Sequence, residues 1–153
     1  MPSSGRVCRA ILKASEKTDA GTIIDLGSGW GTLLFALSRK YPDRQIIGFE
    51  LSWLPWIYSQ AIRVIFRRRN LRIYRQNFFS AQLPDATLLI CYLHPKGMQK
   101  LWDKLSSDQR RLNSMLISNT FALPDNQPAE TLRVDDLYNT PIYIYRLKDA
   151  DSS

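Results

Sequence analysis

Residues 22–31 read Thr22-Ile23-Ile24-Asp25-Leu26-Gly27-Ser28-Gly29-Trp30-Gly31, and a second apolar run, Gln45-Ile46-Ile47-Gly48-Phe49, ends on Glu50 and Leu51. The first run is short and β-branched, the pattern of a buried strand. Its glycines stand at alternate positions, where the chain must turn tightly and a side chain would collide with a ligand. A helix over about Thr32 to Lys40 then points its free N–H groups and positive dipole end at whatever sits on the loop. The acid at the tip of the next strand is placed to accept hydrogen bonds from two ribose hydroxyls. One strand–helix–strand unit thus carries the outline of a nucleoside-cofactor site.

The spacing narrows the cofactor. A dinucleotide site uses Gly-x-Gly-x-x-Gly, whereas here the glycines are Gly27, Gly29 and Gly31. A triphosphate loop ends in Gly-Lys-Ser/Thr, and this one ends in Trp30-Gly31-Thr32 without a lysine. Asp25 at the head of the loop would repel a pyrophosphate and suits a ligand carrying an ammonium or sulfonium. The expected cofactor is therefore S-adenosylmethionine (SAM). The Asp-Leu-Gly-Ser-Gly-x-Gly run followed by an acid-tipped second strand resembles the class I, seven-strand SAM-dependent methyltransferases.

At 153 residues and 44% hydrophobic content the chain is expected to form one domain over residues 1–153 with a real core. The N-terminus lacks the charged and apolar regions of a signal peptide, and no apolar stretch has the length of a membrane span, so a cytoplasmic protein is expected. Cys8 and Cys91 are distant and form no Cys-x-x-Cys pair, which indicates reduced thiols and no metal site. Lys148 to Ser153 read as a frayed polar tail.

The net charge of +7 is unevenly spread. No acid occurs from Leu51 to Pro84, yet Arg63, Arg67, Arg68, Arg69, Arg72 and Arg75 all fall there. Such a patch attracts RNA, an anionic membrane surface in peripheral contact, or an acidic protein. Arg67 to Arg69 read first as a solvated helix end opposing the C-terminal dipole, which explains them locally without any partner.

Periodicity places a helix over Arg6 to Ala14, then strands at about 22–26, 45–50, 71–75, 87–92 and 114–119, with helices over 31–40, 53–69 and 97–106. In the 53–69 helix, Leu54, Ile57, Tyr58, Ala61 and Ile65 form a stripe expected to pack on the sheet, while Trp56, Gln60, Arg63 and Arg67 share another. Ser52 is its expected N-cap. Thr131–Val134 and Ile142–Arg146 alternate apolar and polar residues as an antiparallel pair. Five βα alternations closed by a hairpin predict an α/β fold: a Rossmann-like, doubly wound, mostly parallel seven-strand sheet with a terminal antiparallel hairpin.

Beyond the first two motifs, the strand-three exit carries Asn77 and Phe78. Class I members commonly place an acid there against the adenine amino group; the Asn77 carbonyl can accept the same bond without charge assistance. Phe78 lies against the purine or in the core. Strand four ends in Cys91-Tyr92-Leu93-His94-Pro95-Lys96, which departs from the Asn/Asp-Pro-Pro-Tyr/Phe loop of many amine-modifying members. Tyr92 offers an aromatic wall for an amine. His94 either takes a proton from that amine, a role suited to imidazole at neutral pH, or serves the following helix structurally.

Glu50-Leu51-Ser52-Trp53-Leu54-Pro55-Trp56-Ile57-Tyr58-Ser59 resembles the Glu-Leu-Asn-Pro-Trp-Leu-Val-Trp-Tyr-Ser stretch of the lysine methyltransferases that modify the ATP synthase c subunit and the adenine nucleotide translocator, a family with many bacterial relatives. Pro2-Ser3-Ser4 followed by Val7 is similar to that family's opening segment, and the resemblance runs to about residue 105. The chain departs from the family at Trp30, at Asn77, and in lacking the mitochondrial members' N-terminal anchor. The resemblance implies methyl transfer from SAM to a protein amine, a lysine. In that reading Asp25, Gly27, Ser28, Gly29 and Gly31 hold the methionine end of the cofactor, Glu50 the ribose, Asn77 and Phe78 the adenine, and Tyr92 with His94 the incoming amine, while Leu51 is a further cofactor-binding residue. The alternatives are an RNA methyltransferase using Arg63, Arg67, Arg68 and Arg69, and a SAM-binding regulatory module without activity.

Overall fold

A computed structural model describes residues 4–147. The opening Pro2-Ser3 and the tail from Lys148 to Ser153 lie outside the described residues. The chain runs α1 (Gly5–Ser15), β1 (Ile23–Leu26), α2 (Thr32–Lys40), β2 (Ile46–Phe49), α3 (Trp53–Ile65), β3 (Leu71–Tyr74), β4 (Leu88–Cys91), α4 (Pro95–Ser106), a 3-10 turn (Gln109–Arg111), β5 (Met115–Asn119), β6 (Glu130–Arg133) and β7 (Pro141–Arg146). The sheet order is β3-β2-β1-β4-β5-β7-β6. β1 to β5 are parallel, and β7 is antiparallel to both β5 and β6. The expected Rossmann-like sheet with its terminal hairpin is present.

Burial explains why the inner strands read as continuous apolar runs. β1, β2, β4 and β5 are buried along their whole length, because both faces of a parallel sheet are covered. Alternate residues serve opposite faces: Ile23, Ile46, Leu88 and Ile117 pack with α1 and α2, whereas Ile24, Ile47, Leu89 and Leu116 pack with α4. Gly48 belongs to this packing, since a Cβ there would lie 2.4 Å from Leu34 Cδ1 of α2. At the opposite end from the glycine loop, buried Arg44 donates to the Gly21 carbonyl at 2.7 Å and to Thr87 Oγ1 at 2.8 Å. That fork ties the strand entries together.

Two expectations are corrected. First, the chain does not complete five βα alternations: β3 runs to β4 without a helix, in the stretch where the periodicity placed none. A turn at Asn77 and an irregular segment cross the sheet instead, and Phe78 and Leu83 fill the α4-side core where a helix would pack.

Second, α3 presents the other stripe. Leu54, Ile57, Tyr58 and Ile65 are exposed, while Ser59 is buried and Trp56 packs on the core. The cause is hydrogen bonding to the edge strand: Trp56 Nε1 and Gln60 Nε2 both donate to the Ile73 carbonyl, at 3.1 and 3.2 Å. α3 also ends at Ile65, short of Arg69. Arg67 has φ 51°, with its N–H bonded to the Val64 carbonyl and that of Arg68 to the Arg63 carbonyl. This left-handed cap closes the helix before the arginines.

Candidate active site

In a sheet of this order the chain leaves β1 and β4 toward opposite faces, so a crevice opens above their C-terminal ends. A cavity of about 280 Å³ lies there. Asp25, Gly27, Ser28, Gly29, Trp30, Tyr92 and Asn119 are among the residues lining it, with Cys8 and Ile11 contributed by α1.

The glycine loop is shaped for a ligand. Gly27, Gly29 and Gly31 all have left-handed φ, at 81°, 56° and 85°. A Cβ on Gly27 or Gly29 would meet nothing within 4 Å, so their open side faces free space beside the cavity. At Gly31 a Cβ would sit 2.8 Å from Phe35 and 2.9 Å from Ser59 Oγ, so here the glycine serves helix packing. Gly31 is also the N-cap of α2, without a side-chain cap bond, and Thr32 and Leu33 of the first turn line the cavity. Ser28 Oγ is buried with no hydrogen-bond partner among the described residues. An unmet hydroxyl at this point fits a polar ligand.

Asp25 is buried, 6% exposed, in the cavity floor. Burial first and the neighbouring Glu50 carboxylate second push its carboxyl up to about 7. A cationic ligand group would supply the charge the protein withholds. The residues present therefore fit a cofactor bearing an ammonium and a sulfonium.

Glu50 lies at the rim. Its Oε2 accepts from the Gly29 N–H at 2.7 Å and its Oε1 from the Ser52 N–H at 3.0 Å. The loop is further tied to β2 by the N–H groups of Gly27 and Ser28, both donating to the Phe49 carbonyl. A carboxylate accepts about four hydrogen bonds, which leaves roughly two sites on Glu50. Ser52 occupies the N-cap position of α3 with its hydroxyl unused as a cap.

Three residues expected at the cofactor, Leu51, Asn77 and Phe78, are not among the cavity's lining. Leu51 and Asn77 are exposed, and the Asn77 Oδ1 accepts from the Phe79 N–H at 3.0 Å. Phe78 is buried in the α4-side core, its ring 4.3 Å from that of Phe79.

At the strand-four exit, Tyr92 stacks on Phe121 with ring centroids 6.2 Å apart, and the His94 ring lies 5.7 Å from the same phenylalanine. His94 is the N-cap of α4, but its side chain makes no cap bond there. Phe121 was not singled out from the sequence, nor were Asn119, Cys8 and Ile11. The signal available was position alone: Asn119 and Phe121 follow β5, and ligands gather at strand C-terminal ends. Cys91, also in the lining, is pushed up to about 12 by burial, so its thiol stays protonated.

The sheet order, the glycine loop after β1 and the acid-tipped β2 define a class I SAM-dependent methyltransferase. A model of the ANTKMT methyltransferase domain matches residues 25–130, and the chain belongs to that family. A protein-lysine N-methyltransferase from Saccharolobus islandicus is 22% identical over 149 residues, covering 95% of this chain and 91% of the relative. Among solved structures, an RNA methyltransferase from Salinibacter ruber, in complex with S-adenosyl-L-homocysteine, superposes with TM-score 0.83 at 20% identity, covering 97% of this chain and 94% of that one. A precorrin-6y C5,15-methyltransferase from Geobacter metallireducens superposes with TM-score 0.69 at 14% identity, covering 97% and 90%. At these identities the structural neighbours establish the fold and not the acceptor. Among the described residues no helix is long and apolar enough to cross a membrane.

Proposed function

We propose that the chain transfers a methyl group from SAM to a lysine amine of a protein. The observation that carries this reading is the aromatic group of Tyr92, Phe121 and His94 at the β4 and β5 exits, next to the cavity floored by Asp25. Aromatic faces attract ammonium and methylated ammonium groups, and they do so more strongly where water is excluded. The lysine specificity named for the Saccharolobus islandicus relative supports the same acceptor.

SAM bound in the cavity supplies a methyl group made electrophilic by its cationic sulfur. Asp25 offers its carboxylate to the cofactor's positive groups, the Gly27 to Gly31 loop gives backbone room for its methionine end, and Glu50 receives the ribose hydroxyls. Tyr92 and Phe121 hold the lysine stem, while His94 accepts the proton that the amine must lose before it can attack. The work of these residues is alignment and exclusion of water.

An RNA acceptor is favoured by the arginines and by the Salinibacter ruber neighbour's name. Topology weakens it. α3 runs from the site end of the sheet to the opposite end, so Arg67 to Arg69 stand roughly 20 Å from the β4 exit, one length of a 13-residue helix. The test is to incubate the protein with radiolabelled SAM and a lysate of its source cells. The proposal requires label that is lost to protease and survives ribonuclease.

A further inference from the structure

The amphipathic sense of α3 is inverted. On a wheel of about 100° per residue, Trp53, Val64, Ile57, Leu54, Ile65 and Tyr58 follow one another around an arc of roughly 140°. Ala61 is the only other residue in that arc, so it contains nothing charged. These side chains face outward: Leu54 is 72% exposed, Ile65 67% and Val64 64%. The polar residues Ser59, Gln60 and Arg63 take the inner or lateral side, where Gln60 bonds to Ile73 and Arg63 to Gln60. Phe66, 60% exposed, extends the apolar surface past the helix end. A continuous apolar patch of this size on a water-facing surface marks a contact site.

Charge at both ends of the patch selects what covers it. Arg67 and Arg69 are exposed immediately beyond its C-terminal end, with Arg68 half-buried between them. At its N-terminal end the Arg75 guanidinium lies 3.9 Å from the Trp53 ring centroid, and Trp53 in turn meets Trp56 edge-on at 5.8 Å. A second copy of this chain would bring like charges together in a two-fold contact. Nucleic acid would engage the arginines but leave the aliphatic arc in water. An anionic bilayer satisfies both: the arc enters the headgroup boundary, exposed Trp53 sits at the interface and the arginines reach lipid phosphates.

We propose that the outward face of α3 is a peripheral docking surface for an anionic membrane, with the helix lying in the plane of the interface. The cavity opens at the end of the sheet where α3 begins: Glu50 at its rim accepts from the Ser52 N–H, and Trp30 of its lining meets Tyr58 on α3 at 5.4 Å. A docked chain therefore holds its site beside the lipid surface. This inference does not depend on what the methyl acceptor is.

The experiment is co-sedimentation of the full chain with phosphatidylcholine vesicles, with and without phosphatidylglycerol. The chain should partition onto the anionic vesicles only, and salt should weaken that partition. Converting Arg67, Arg68 and Arg69 to Gln should lower the partition by on the order of a hundredfold, at about fivefold per arginine. Ile57→Glu with Ile65→Glu should abolish it, while calorimetric SAM affinity stays unchanged and reports that the variants are folded. Quenching of tryptophan emission by brominated lipid should fall in Trp53→Phe. Equal binding to neutral vesicles would overturn the proposal. So would no vesicle binding accompanied by a dimer that Ile57→Glu dissociates, or by single-stranded RNA binding that the arginine variant loses.

Discussion

The Glu50 carboxylate accepts a hydrogen bond from the Gly29 N–H at 2.7 Å, so the acid at the tip of β2 holds the glycine loop that follows β1. Its second oxygen accepts from Ser52 N–H, which anchors the start of α3 as well. One side chain thus joins the two loops between which the cofactor must lie. Glu50→Ala removes that brace together with the proposed ribose acceptor. Hydrogen bonds to a charged group are worth about 1.5–3 kcal/mol each, so SAM affinity should fall by more than tenfold. Calorimetry giving an unchanged affinity would remove Glu50 from the site.

Asp25 links stability to function with opposite signs. Its carboxyl stands at about 7 in the folded chain against 3.8 ordinarily, so the folded state holds a proton that the unfolded state releases between those values. Stability from this group is complete below that window, falls as pH rises through it and is gone above about 7. Asp25→Asn should therefore stabilise the SAM-free protein by on the order of 3 kcal/mol at about pH 8 and leave it little changed in acid. The same substitution should weaken SAM binding. Denaturant melts at both pH values check the first half; a variant less stable at high pH would contradict the burial argument.

Tyr92→Ala, Phe121→Ala and His94→Ala should lower methyl transfer while leaving SAM affinity nearly intact, because these side chains gather at the β4 and β5 exits and not on the glycine loop. If His94 accepts the amine proton, its variant should lose rate on the order of a hundredfold. Wild-type turnover in His94→Ala would remove that residue from the chemistry.

Ser59 is fully buried on the inner side of α3, and its hydroxyl has no hydrogen-bond partner among the described residues. Ser59→Ala removes an unmet polar group and should raise stability by about 1 kcal/mol without altering SAM binding. A loss of stability, read from chemical denaturation, would mean that the hydroxyl is satisfied in solution.

How much of this was legible in the sequence follows from which forces act locally. β1, β2, β4 and β5 could be read because burial on both faces writes itself as an unbroken apolar run, and the glycine loop because left-handed φ selects glycine. The orientation of α3 could not. Its aliphatic stripe has the stronger helical period, and what turns it outward is a pair of bonds from Trp56 and Gln60 to one carbonyl on β3, a contact between distant segments. Phe121 and Asn119 were invisible for a related reason. Their place beside Tyr92 is set by the pairing of Cys91 with Ser118, a register no local pattern announces.

The central claim, that the cavity above Asp25 serves methylation of a protein lysine, is tested most directly by identifying the methylated residue itself. Material labelled from radioactive SAM in the lysate of the source cells should be freed of RNA, hydrolysed in acid and its amino acids separated. The account predicts that the label migrates as N-methylated lysine and that Tyr92→Ala reduces it. Label recovered in methylated nucleosides, or no transfer by a protein that binds SAM normally, would contradict it.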